Sequence, residues 1–227
     1  MRIYDLASQP LRGLNQMLHD LETADCAEPI HVYEPRGAHA IACGLMAPAD
    51  VEIHGHAGYY CAGMNQRASV TIHGNAGTGV AENMMSGRVL VKGNASQSAG
   101  ATAHGGLLVI EGDASMRCGI SLKGAAIVVK GNVGAMSAFM AQAGTLVVCG
   151  NAGEALGDSI YEATLFVRGT VASLGADCIE KEMRVEDREK LAALLDSAGC
   201  DARPEEFRRY GSARKLYTFH VDHAAQY

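Results

Sequence analysis

The sequence predicts an all-β protein: a right-handed, single-stranded parallel β-helix of seven to eight nineteen-residue coils, with short helical N- and C-terminal flanks. Three observations carry this. Glycine recurs at 55, 74, 93, 112, 131, 150 and 169, a spacing of nineteen held without insertion. Branched or aliphatic residues stand two and four positions before each glycine, and "GNA" or G-x-x-G follows in most units. Self-similarity at a fixed period of this length is the mark of a solenoid, in which each unit buries its apolar face against its neighbours.

Composition agrees. The 227 residues are 48% hydrophobic and 19% charged, enough apolar material for a sizeable core. The formal charge of −6 argues against nucleic acid or an anionic membrane as partner. No basic apolar leader opens the chain and no apolar run is long enough to span a bilayer, so a cytoplasmic location is expected. The seven cysteines (26, 43, 61, 118, 149, 178, 200) never form C-x-x-C, which disfavours a disulfide framework or zinc knuckle and suggests free, mostly buried thiols. Trp is absent and Phe scarce, so the core must be built from small and branched residues.

Residues 1–29 form an N-terminal flank. Leu11, Leu14, Leu18 and Leu21 recur at helical intervals, with Ser8 as the expected cap and Pro10 in the first turn. Residues 30–183 form the β-helix. Its first stretch, 30–50, reads as a degenerate coil with Gly37 one residue out of phase. Seven regular units follow from Val51. Val51, Val70, Val89, Leu108, Ile127, Leu146 and Leu165 make one column, and Ile53, Ile72, Val91, Ile110, Val129, Val148 and Val167 another. Positions two apart share a strand face, so both columns point into a common core. Stacking at about 4.8 Å per coil gives a height of about 35 Å.

The other columns are read the same way. Lys92, Glu111 and Lys130 are expected to form a ladder of alternating sign, and Asn75, Asn94, Asp113, Asn132 and Asn151 an amide-rich ladder at the corner. Between the core columns lie Glu52, Thr71, Leu90, Val109, Val128, Val147 and Phe166, which must point outward. The last five form an apolar stripe that something must cover. The terminal helices look too short for it, so the stripe and the Arg- and Tyr-bearing tail 208–227 are expected to bind partner subunits. On the same reasoning, truncation after Ala202 should leave the solenoid folded. Residues 184–227 form the C-terminal flank: a helix with Leu191, Leu194, Leu195 and Ala198 on one face and Gly199 as its stop, then a short helix and an extended tail.

Signals for chemistry are sparse. "GNAGTG" resembles a phosphate cradle only superficially, because no helix follows and no Walker lysine–hydroxyl pair is present. His54, His56 and His73 can meet on adjacent coils, but no carboxylate or thiol joins them at ligand spacing, so they are expected to be stacked surface histidines. Cys61 and Cys118 share a column three coils apart, too far for a bond. The sequence therefore nominates no catalytic, cofactor-binding or metal-binding residue, and the isolated chain is expected to be colourless.

The corners "GHAG" (55–58), "GNAG" (74–77 and 150–153) and "GNVG" (131–134), set in gapless coils over residues 30–180, resemble the glycine-repeat (GXGXG) β-helix domain at the C-terminal end of the glutamate synthase large subunit. The flanks "YDLASQPLRGLNQMLH" and "EFRRYGSARKLYTFHVDHAAQY" resemble those of stand-alone versions, such as the β-helix subunit of N-methylglutamate synthase. That resemblance implies a non-catalytic scaffold in a hetero-oligomer with a glutamine-amidotransferase-like subunit and a barrel subunit carrying FMN and an iron–sulfur cluster. The complex would convert methylamine and glutamate to N-methylglutamate and ammonia. Two alternatives stay open: the β-helix subunit of another glutamate-synthase-like or formylmethanofuran-dehydrogenase-type complex, and, more remotely, a hexapeptide acyltransferase. The last fits poorly, since nineteen is not a multiple of six.

Overall fold

A computed structural model describes residues 2–22 and 26–215. The two apolar columns set the architecture. Nine strands pair in parallel and in chain order: β1 (Arg2–Asp5), β2 (Ile30–Tyr33), β3 (Asp50–His54), β4 (Ser69–Ile72), β5 (Arg88–Val91), β6 (Leu107–Ile110), β7 (Lys123–Val129), β8 (Ala143–Val148) and β9 (Thr164–Val167). From β3 to β9 the register advances by nineteen, Val51 over Val70 over Val89 and so on to Leu165. All fourteen side chains of the two core columns are fully buried, as period-two alternation requires. A second ladder of single bridges stacks Ala57, Ala76, Ala95, Ala114, Val133, Ala152 and Val171 at the opposite side of the corner.

The coil before β3 is longer. Ile30 pairs with Val51, a step of twenty-one, and Gly37 accordingly sits against Gly58 rather than Gly55. The N-terminal flank closes this end with two elements. β1 adds a parallel strand beside β2, and α1 (Leu11–His19) buries Leu14 and Leu18 in the core. Pro10, not Ser8, is the N-cap of α1, with no side-chain cap bond; Ser8 bonds back to Asp5 O instead.

Glycine at the corner does more than turn the chain. Of the seven phase-keeping glycines only Gly55 has a φ (139°) in the region L side chains avoid. At Gly150 the demand is proximity: a Cβ there would lie 2.6 Å from both Gly131 O and Asn132 Oδ1 of the coil below. The corner residue that follows fastens the coils. Asn75, Asn94, Asp113, Asn132 and Asn151 each accept, through Oδ1, the backbone N–H nineteen residues on, at 2.7–2.9 Å. The ladder is thus one of side chain to backbone.

The second half of each coil has a backbone pattern of its own. Tyr60, Ala62 and Met64 take φ of 58°, 54° and 56°, and Met136, Ala138 and Met140 take 56°, 57° and 52°. Every other residue there is left-handed, a conformation that disfavours β-branched side chains. The charged ladder forms as expected, with Glu111 Oε1 3.4 Å from Lys92 Nζ and 3.2 Å from Lys130 Nζ. Burial pushes the Glu111 carboxyl up, but the hydrogen bonds and charges of the two lysines prevail and hold it below its ordinary value.

After β9 the chain reverses. β10 (Cys178–Lys181) leads into α2 (Val185–Ser197), a 3-10 turn (Pro204–Glu206) and β11 (Arg208–Ser212). β11 lies antiparallel between β9 and β10, and β10 ends the eleven-stranded sheet. The apolar stripe finds its cover here. Val109, Val128, Val147 and Phe166 are fully buried in a second cluster with Leu191, Leu195, Ala198 and Phe207, and Leu90 is partly buried at its margin. This corrects the expectation that the stripe binds a partner. One face of α2 and the segment after it suffice to shield it.

Candidate functional site

The C-terminal closure also makes a polar concavity at this end. A cleft of about 460 Å³ opens between Tyr161–Thr164, Lys181, Arg184 and the end of β11. Its walls carry Lys181, Arg184, Arg209 and Arg214 against Glu162. Arg214 pairs with Glu162 at 2.8 Å, and Arg209 Nε lies 3.1 Å from Asp187 Oδ1 outside hydrogen-bonding geometry. The expected tail interface is modified by this placement. Tyr210 is buried and Arg208 donates to Gly169 O at 2.9 Å, so the start of the tail is built into the sheet. Residues 216–227 of that tail lie outside the described residues.

The histidines occupy the other end. His54 and His73 stack with ring centroids 4.9 Å apart and planes 4° from parallel. His31 and Tyr33 of β2 join them: His31 Nδ1 lies 2.8 Å from His54 Nε2, and the Tyr33 ring is 4.5 Å from His54. The sequence pattern missed these two because the twenty-one-residue coil takes β2 off the period. His56 stands apart, its Nδ1 accepting the Asn75 N–H at 2.9 Å as the first rung of the corner ladder. Burial, then the neighbouring His73 and His31, lower the His54 pKa, while Glu52, hydrogen-bonded to His73, opposes them. Among the described residues no three His, Cys, Asp or Glu side chains are arranged to hold a metal ion.

The second to fourth coils also expose large apolar side chains. Met46, Tyr59, Tyr60, Met64 and Met85 are between 46% and 65% exposed. Tyr60 and Met64 line an apolar depression of about 270 Å³ with Ala40, Cys43 and Gly63, edged by Glu82 and Asn83. Single tyrosines and methionines in polar surroundings do not announce themselves by periodicity, so nothing in the sequence pattern marked this face.

The solenoid interior is packed with buried side chains. Both core columns are filled, and Asn65, fully buried, spends its amide on the backbone of Ala68, donating to its O at 2.8 Å and accepting its N–H at 3.0 Å. Among the described residues no helix is long and apolar enough to cross a membrane. No protein-family model matches the chain. A curated relative does: Protein GlxC of Rhizobium meliloti (strain 1021) is 61% identical over 228 residues, with all of both chains covered. At that identity over the whole length, this β-solenoid belongs to the family of Protein GlxC.

Proposed function

We propose that this chain is the non-catalytic solenoid subunit of a glutamate-synthase-like complex, and specifically of N-methylglutamate synthase. One observation carries the reading: a gapless nineteen-residue stack with G-x-x-G corners, which resembles the glycine-repeat domain, and with both core columns fully buried. A rod of this kind holds partners at fixed separation while contributing no reacting group. The amidotransferase-like chain and the barrel chain with FMN and an iron–sulfur cluster supply the chemistry. Methylamine and glutamate then yield N-methylglutamate and ammonia. The exposed Tyr and Met side chains on the second to fourth coils support a protein partner, since both residue types are enriched at interfaces.

Co-expression with the two candidate partner chains, followed by size-exclusion chromatography and product assays, tests this. Expected is one co-eluting complex with methylamine-dependent formation of N-methylglutamate, lost when this chain is left out. A complex that instead forms glutamate from glutamine and 2-oxoglutarate would keep the scaffold and change the substrate. Full turnover by the partners without this chain would overturn the scaffold reading.

A further inference from the structure

Seven cysteines are spread through this chain, and two of them meet across the seam between solenoid and cover. Cys149 belongs to the outward column that also carries Lys92, Glu111, Lys130 and Arg168; Cys200 follows the end of α2. Their sulfurs lie 3.5 Å apart although the residues are 51 positions apart in sequence. Both are partly buried and pack at the margin of the cluster under α2. Each backbone is anchored independently. Cys149 N–H donates to Val129 O at 2.9 Å, and Cys200 N–H to Leu195 O at 2.9 Å. Lys130 Nζ bridges the seam, donating to Gly199 O at 3.0 Å. A disulfide needs the sulfurs about 2.05 Å apart, so closing this pair takes a shift of roughly 1.5 Å.

We propose that Cys149 and Cys200 are a redox modification site, which a peroxide-class oxidant joins in an intramolecular disulfide that fastens the C-terminal cover to the solenoid. The other thiols provide the contrast. Cys61 and Cys118 are fully buried and lie three coils apart, and burial pushes each up to about 12. Cys149 is also pushed up to about 12, by burial first and then by its hydrogen bond to Cys200, while Arg168 and Lys130 act in the opposite sense. In the proposed step Cys200 is oxidised first and Cys149, its sulfur 3.5 Å away, resolves it.

The steps balance. The Cys200 thiolate attacks one peroxide oxygen, the O–O bond breaks, and Cys200 becomes a sulfenic acid with release of hydroxide. The Cys149 sulfur then attacks the Cys200 sulfur, the S–O bond breaks, and the departing hydroxide takes the Cys149 proton. Two thiols and one hydrogen peroxide give one disulfide and two waters. A dithiol reductant reverses the bond by exchange. In a reducing compartment such a bond is transient and reports oxidant.

The test uses the reduced full-length chain, treated with hydrogen peroxide, alkylated to block remaining thiols and mapped by mass spectrometry under non-reducing conditions. Expected is a peptide pair linked through Cys149 and Cys200, about 2 Da lighter than the free pair and separated by dithiothreitol. The link is absent in Cys149→Ser and Cys200→Ser and retained in Cys43→Ser. Amide exchange across 185–198 should slow roughly tenfold or more on oxidation of the wild type and remain unchanged in either serine variant of the pair. Sulfinic acid at Cys200 with Cys149 still alkylatable, or a link through other cysteines, would overturn the site. Unchanged exchange despite a formed link would overturn the fastening.

Discussion

Ile110 and Glu111 are adjacent in the chain and sit on opposite sides of it. Ile110 is fully buried in mid-stack, and Glu111 lies on the solvated ladder between two lysines. Ile110→Asp should cost on the order of several kcal/mol, because no partner is available for a charge there. Glu111→Gln should cost about 1 kcal/mol or less. Chemical denaturation of the two variants checks both. Gly150→Ala should destabilise by about 1–3 kcal/mol through overpacking against Gly131 and Asn132, even though its φ is not left-handed. The histidine stack gives a pH signature. The His54 pKa is lowered on folding from an ordinary value of 6.5, so the unfolded chain takes up the proton first as pH falls. Stability should decline below about pH 6.5 until the lowered value is passed, and His54→Gln should flatten that part of a melting-temperature profile. At this scale the sequence was nearly transparent. Period-two columns name the fourteen strand side chains of the core between Val51 and Val167 but not Val80, Met84, Leu122 or Ile160 in the second halves of the coils, and His31 and Tyr33 are hidden by a coil two residues longer than the rest.

The elements that pattern alone misassigned are those whose partners are distant in the chain. The outward stripe was recognisable from its apolar column, but its cover comes from Leu191, Leu195, Ala198 and Phe207, whose meeting with Val109 or Phe166 no local rule specifies. β11 presents the same difficulty, since a strand reading "RRYGS" shows no alternation and is fixed only by pairing with β9 and β10. Truncation after Ala202 removes Phe207 and β11 together. It should therefore expose Phe166 and the edge of β9, giving a lower melting temperature and binding of a hydrophobic dye that the full chain does not show. A truncated chain with unchanged melting would mean that α2 alone is the cover. The left-handed half-coils are equally hidden, since Tyr60, Met64, Met136 and Met140 adopt the alternating positive φ as readily as Ala62 and Ala138 and leave no residue signature.

For the whole molecule the nineteen-residue coil is the unit of construction, and the site chemistry is subordinate to it. Stability in such a stack is a sum of coil and neighbour contributions, so removing one complete unit should preserve every remaining register. Deleting residues 108–126 brings Val89 under Ile127 and Asn94 under Asn132, restoring both core columns and the corner ladder. It leaves Val128, Val147 and Phe166 beneath α2, and its main penalty is the juxtaposition of Lys92 and Lys130 without Glu111. Deleting Leu108 alone shifts β6 by one residue against its neighbours and turns its core side chains outward. The decisive measurement is the melting temperature of these two deletions side by side. The account predicts that the nineteen-residue deletion melts cooperatively and close to the full chain, while the single-residue deletion melts far lower. Equal losses in the two would contradict it.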